Sequence, residues 1–354
     1  MKTMKYNKFI KIWLVTGCVL LFFQIFIGGI TRITGSGLSI TKWEIVTGTL
    51  PPLSEAEWDK EYALYQNTPQ YEKINNGLSM SKFKFIYFWE YFHRLWARLM
   101  GIIFLIPLIF FVIKKWVDKW LLIRLAYVFF CALLAAVFGW IMVASGLINR
   151  PWVNAYKLSL HLGIALLTYS VLLWTTFAVF EKSDWKVSNY KLRSLVRMLL
   201  IGIVIQIFFG AIVSGMRASL FYPSWPDMNG SFIPAIIFNP SAWNLDNIIN
   251  YDQNTFMPAL IHVLHRNWGY IVFGFGIFTS IRILQYPLRS HYYKWSIILI
   301  ILLCLQVLLG ILTLINSIGT IPVFYGVMHQ AVAIFILSVI LYLSFIFRYK
   351  QKPI

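Results

Sequence analysis

Charge is scarce in this chain. Asp, Glu, Lys and Arg make up 12% of its 354 residues, and 13 acids stand against 31 bases. With 59% hydrophobic residues and a mean hydropathy of +0.70, a soluble protein is excluded, because a single core could not hide so much apolar surface. Cysteine is nearly missing too. Cys18, Cys131 and Cys304 each lie inside an apolar run and read as packing residues, not as a disulfide or metal set. The bases form no dense patch on a polar stretch, so the net charge of +18 does not point to nucleic acid. No Arg/Ser-rich presequence precedes the first apolar run, and no small-residue cleavage site follows a short apolar core. A retained first helix and a bacterial plasma (inner) membrane are therefore expected.

What is present is a series of long apolar runs, such as "IWLVTGCVLLFFQIFIGGI" and "SIILIILLCLQVLLGILTLI", each able to cross about 30 Å of hydrocarbon. Hydropathy predicts eight spans, at 10–30, 86–113, 121–145, 157–180, 193–216, 258–281, 294–315 and 323–347. Nineteen of the 31 bases then fall on one side, in the N-terminus, in the even-numbered connections and in the tail. They are accompanied there by three acids, Asp118, Glu181 and Asp184. The positive-inside rule puts both termini in the cytoplasm and the long loops 31–85 and 217–257 outside.

The chain reads as duplicated. "QIFIGGI" (24–30) matches "QIFFGAI" (206–212) at an offset of 182, which also pairs Trp43 with Trp225, Gly48 with Gly230 and Pro52 with Pro234. "HRLWARLMG" from His93 matches "HRNWGYIVFG" from His265, and "LHLGIAL" around His161 matches "MHQAVAI" around His329. Offsets that drift only in loops are what duplication predicts. The expected architecture is an all-α polytopic membrane protein of two tandem four-helix bundles in the same orientation, residues 1–185 and 186–354.

His291 falls in a cytoplasmic connection. The other five histidines sit near the outer ends of spans two, four, six and eight. One intramembrane histidine could simply bond across helices. Four at one depth, as two duplicated pairs, suggest bis-histidine haem ligation, one haem per bundle. Zinc fits less well, because neither bundle offers a closed four-ligand set. Arg94 and Arg266 follow His93 and His265 directly and could meet propionates or anchor at lipid headgroups.

The two haem mouths differ. Glu90 stands three residues before His93, about 4.5 Å up the helix on the same face, whereas His262 holds that place before His265. A carboxylate there could take protons or stabilise a cation at the haem's rim. It could also be a helix-terminal acid or a salt-bridge partner of Arg94. The first reading makes the first bundle a substrate site and the second a fixed electron-transfer site.

At "GGITRITGSGLSITKWEIVTGTLPP", "LSEAEWDKEYALYQNTPQYEKIN", "WEYFHRLWARLMG", "NRPWVNAYKLSLHLGIAL" and "IHVLHRNWGYIVFG", the chain resembles the haem A synthase family, and the likeness covers nearly its whole length. It resembles the form without loop cysteines, since none lies between Thr31 and Phe85. The resemblance implies oxidation of the ring-D methyl of haem O to the formyl of haem A, by successive hydroxylations, for cytochrome oxidase assembly. It implies haem B as cofactor with His265 and His329 as axial ligands and Arg266 beside them. His93 and His161 become ligands of the substrate haem iron, with Arg94 beside them, and Glu90 the catalytic acid. Implied partners are haem O, the lipid bilayer, an electron acceptor and the farnesyltransferase that makes haem O (haem O synthase). The outer segment "SEAEWDKEYALYQNTPQYEKIN" has helical spacing and is expected to cap the first site. Competing readings are a dihaem b-type electron carrier, which does not require Glu90, and a proton-relaying transporter, which predicts no haem.

Overall fold

The computed structural model describes residues 6–42, 50–147, 150–181, 189–286 and 292–348. Among these the regular elements are helices, with an isolated bridge between Met228 and Ser231 and no β-strand. The α-helices are α1 (Lys8–Ile33), α2 (Glu55–Gln66), α3 (Pro69–Lys73), α4 (Met80–Ile113), α5 (Lys119–Gly146), α6 (Ala155–Phe180), α7 (Tyr190–Gly215), α8 (Leu245–Ile249), α9 (Phe256–Leu284), α10 (Tyr292–Ile315) and α11 (Val323–Ile346). Among the described residues, α1, α4, α5, α6, α7, α10 and α11 are long and apolar enough to cross a membrane. The chain is a multi-pass membrane protein. Helix α9 has 29 residues but is not one of those seven; it carries His262, His265, Arg266, Asn267 and Arg282.

All eight stretches expected to be spans are helical, with shifts at their ends. The largest shift is in α4, which starts at Met80 rather than near 86, capped by the Ser79 side chain on the Lys82 N–H. That extra length packs against the outer segment. Phe83, Ile86 and Tyr87 of α4 form a buried cluster with Tyr65, and Trp58, Tyr62 and Tyr71 pack against it.

The outer segment before α4 folds as the short helices α2 and α3. A reciprocal Ser54/Glu57 box caps α2, and the Leu53 and Ser54 N–H groups hold the Glu57 carboxyl below its ordinary range. Thr68 caps α3, with Pro69 at its first position, where the missing N–H costs nothing. Tyr65 is fully buried. Its hydroxyl donates to Gln70 Oε1 (3.1 Å) and accepts from Asn75 (2.7 Å), and burial pushes its phenol pKa up.

The chain divides into two compact units, Met1–Thr176 and Phe177–Ile354. The boundary expected at 185/186 lies outside the described residues, as do Trp43, Gly48 and His291. In the first unit α1 packs on α4. In the second, α7 contacts α9, α9 contacts α10, α10 contacts α11 and α11 returns to α7, which closes a four-helix bundle. Two tryptophans inside the units donate to backbone carbonyls of a neighbouring helix. Trp96 donates to the Leu20 carbonyl (3.0 Å), and Trp268 does the same to Gly202 (2.9 Å).

Candidate functional site

Each of the four repeated histidines rests against a glycine of the long helix before it. A Cβ on Gly28 of α1 would come within 3.0 Å of Cε1 of His93 on α4, and one on Gly139 of α5 within 3.0 Å of His161 on α6. In the second unit the same distances are 2.9 Å from Gly210 of α7 to His265 on α9 and 2.9 Å from Gly310 of α10 to His329 on α11. Any side chain there would displace the ring, so glycine lets helix and imidazole approach closely.

Neighbouring groups orient the rings. His161 Nδ1 lies 2.9 Å from the Ala135 carbonyl and His329 Nδ1 lies 3.0 Å from the Gln306 carbonyl. A carbonyl can only accept, so Nδ1 carries the proton in both and the lone pair is on Nε2. That is the tautomer a metal-ligating imidazole needs. On the other helix of each unit a glutamine takes over. Gln24 donates to the His93 carbonyl and lies 3.3 Å from both ring nitrogens, while Gln206 donates to the His265 carbonyl (3.0 Å).

His265 and His329 stand with ring centroids 6.4 Å apart and planes at 76°. Metal–nitrogen bonds of about 2 Å to two imidazoles put their centroids roughly 6 Å apart, so the separation matches paired ligation. The side-chain amides of Gln306 and Gln206 lie 3.2 Å and 3.5 Å from the Nε2 atoms of His329 and His265. His265 Nδ1 and the side-chain oxygens of Gln206 and Gln306 are buried without a protein partner, an unusual cluster of unsatisfied groups around one ring pair. In the first unit His93 and His161 are within electrostatic reach of one another. Among the described residues no three His, Cys, Asp or Glu side chains gather as a metal site. Two imidazoles per unit are a donor pattern that suits haem.

The mouths of the two units are built differently. Glu90 is 3% exposed. Its Oε2 accepts from the Ser39 N–H (2.7 Å), the Ser39 hydroxyl (2.7 Å) and the Ile40 N–H (2.9 Å), and its Oε1 accepts from Arg94 (2.6 Å). Arg94 also donates to the Ile40 and Lys42 carbonyls. It faces a cleft of about 150 Å³ lined by Ile40, Thr41, Trp140, Val143, Ala144 and Leu147. In the second unit His262 is buried and its Nδ1 has no partner. Arg266 grips the outer loop at the Pro226 (2.9 Å) and Phe232 carbonyls, with its guanidinium 4.3 Å from the Phe232 ring centre. Ser224 and the Gly230 N–H, with Arg266 nearby, hold the Asp227 carboxyl below its ordinary range.

Both arginines thus hold outer-segment carbonyls, contacts that neither propionate binding nor headgroup anchoring anticipates. Gln24, Gln206 and the four glycines did not emerge as functional from residue chemistry. Their signal was in view, since Gln24 with Gly28 and Gln206 with Gly210 sit at matching places in "QIFIGGI" and "QIFFGAI". Ser39 had no such signal, because its partner Glu90 is 51 residues away.

Residues 11–341 match COX15-CtaA, the cytochrome oxidase assembly protein family. The chain belongs to that family. Among its relatives in this family is a haem A synthase of Flavobacterium psychrophilum, 37% identical over 96% of this chain and 98% of the relative. One from Pelagibacter ubique is 36% identical over 94% and 95%, and one from Nitrosospira multiformis 35% identical over 96% and 93%.

Proposed function

We infer that this chain is a haem A synthase, an oxidoreductase that converts the ring-D methyl of haem O to the formyl of haem A for cytochrome oxidase. The observation that carries the reading is the set of histidine pairs, each seated on glycine, in a chain of this family.

His265 and His329 would hold a haem B, which supplies one-electron redox chemistry when bound. The Arg266 Nε, buried without a protein partner, is the donor left for a propionate. His93 and His161 take the iron of the substrate haem O, with Arg94 at the cleft beside them. Glu90 is the catalytic group of this first site. Its acceptor positions are filled by four donors, so we read it as a fixed negative charge facing the positive charge that develops as electrons leave the substrate methyl. Substrate oxidation requires an electron acceptor outside the chain. A farnesylated substrate is poorly soluble, which favours direct handover from haem O synthase within the bilayer.

Topologically, we propose α9 as the eighth span, two tandem four-helix halves in one orientation, and cytoplasmic termini in a bacterial inner membrane. His262 and Arg266 are buried inside the second unit while Ile271 and Phe278 of the same helix are exposed, which favours α9 as a span with its polar side chains turned inward.

The deciding experiment is haem extraction and chromatography from a host that makes haem O but no haem A, with and without this protein. Haem A, or the alcohol that precedes it, is expected with the protein. Unmodified haem O beside co-purified haem B would make the chain an electron-transfer cytochrome.

A further inference from the structure

The end of α1 and the turn after it are built to one purpose. Gly35 closes the helix at φ +71°, a conformation that favours glycine. Its N–H reaches the Arg32 carbonyl and the Ser36 N–H reaches the Thr31 carbonyl, a Schellman ending. Leu38, 2% exposed, then wedges against Gly146 of α5, where a Cβ would come within 2.8 Å. This wedge sets Ser39 over α4. Ser39 is fully buried, and both its donors converge on Glu90 Oε2.

The turn is braced from outside. Gln70 of α3, 4% exposed, donates to the Gly35 carbonyl at 2.9 Å. Gln70 is itself held by Tyr65, which Asn75 holds in turn. A continuous chain of hydrogen bonds therefore runs from the α2–α3 cap through the turn to the carboxylate.

We propose that Ser39 is a positioning residue that fixes the Glu90 carboxylate at the mouth of the first site, and that Gln70 braces the turn that carries it. The proposal rests on the haem A synthase reading for its effect on turnover, but the pin itself stands on geometry alone. The physical reason is the burial of Glu90. A buried carboxylate with several donors on one oxygen cannot swing, and a charge acts best on a transition state when no reorganisation is needed.

The test uses the full chain in lipid nanodiscs. Hydrogen exchange at the Ser39 and Ile40 amides should be slow in the wild type and at least about tenfold faster in Glu90→Ala, which removes their acceptor. Unchanged exchange there would overturn the pin whether or not the protein converts haem O. For turnover, Ser39→Ala should lower kcat about tenfold with KM for haem O unchanged, and Ser39→Thr, which keeps the hydroxyl, should restore it to within about twofold. In a Glu90→Ala background Ser39→Ala should add nothing, because it acts through the missing carboxylate. An equal loss in both backgrounds would give Ser39 a separate role and overturn the proposal. If the wild type leaves haem O unmodified, the functional reading fails while the exchange result still decides the pin.

Discussion

The two units share an interior and differ at the rim. In each, a tryptophan three residues after the histidine ties to the preceding helix, a glutamine holds the histidine's carbonyl, and a glycine receives its ring. In each, the next arginine grips outer-segment carbonyls. At the rim, the first unit buries a carboxylate under four donors, and the second buries an imidazole with an unpaired nitrogen. The lesson is that seating an imidazole and completing a reactive mouth are separable tasks. The seating recurs, and the rim is where the units diverge.

That comparison breaks most directly at the ligands. If His265 and His329 hold a haem B as proposed, His265→Ala and His329→Ala should each cut tightly bound haem B to under about a tenth of wild type, because either change removes one imidazole of the pair. His93→Ala and His161→Ala should retain it. Pyridine haemochrome assays check this, and undiminished haem in both second-unit variants would remove the ligand assignment.

Next in size is the rim. Glu90→His gives the first mouth the residue of the second, and conversion of haem O should fall by about a hundredfold or more while haem B content is kept. Normal turnover would reduce Glu90 to a structural clasp.

The glycine seats come third. Gly210→Ala and Gly310→Ala put a methyl within 2.9 Å of a ring carbon, an overpacking that costs about 1–3 kcal/mol. Thermal unfolding of the protein should shift down by a few degrees and haem B occupancy should drop severalfold. Gly274→Ala, with nothing within 4 Å of the added methyl, is the control and should change neither.

The smallest effect is a pH dependence confined to the second outer loop. The native pKa of Asp227 is depressed, chiefly by Ser224, so its bonds stabilise the loop above the ordinary aspartate value of about 3.9. That contribution disappears as pH falls through the depressed native value. Protection of amides 224–232, taken relative to the intrinsic exchange rate at each pH, should therefore fall on acidification, and Asp227→Asn should abolish the change.

The helices were legible because apolar runs of this length and charge pattern admit one solution in a bilayer. The histidines were legible because ionisable groups stand out in oil and occurred in matched pairs. Glu90 stood out as the mismatch between otherwise similar motifs. Helix α4 begins six residues before the expected start of the second span. Tertiary packing of Phe83 and Tyr87 under the α2–α3 cap carries the helix further. The roles of Arg94 and Arg266 were incomplete for a related reason. A guanidinium's partners are backbone carbonyls of a distant loop, and carbonyls leave no mark in a residue pattern.

By itself, then, the sequence determined the membrane-spanning character, the helical class, the places of the histidines and the family. All of these follow from composition, periodicity and local motif. Only the tertiary structure decided which glycine meets which ring, that a wedge at Leu38 delivers Ser39 to Glu90, and that the carboxylate is pinned. Those facts depend on contacts between residues 19 to 108 positions apart. The packing of helices creates such contacts, and no local pattern encodes them.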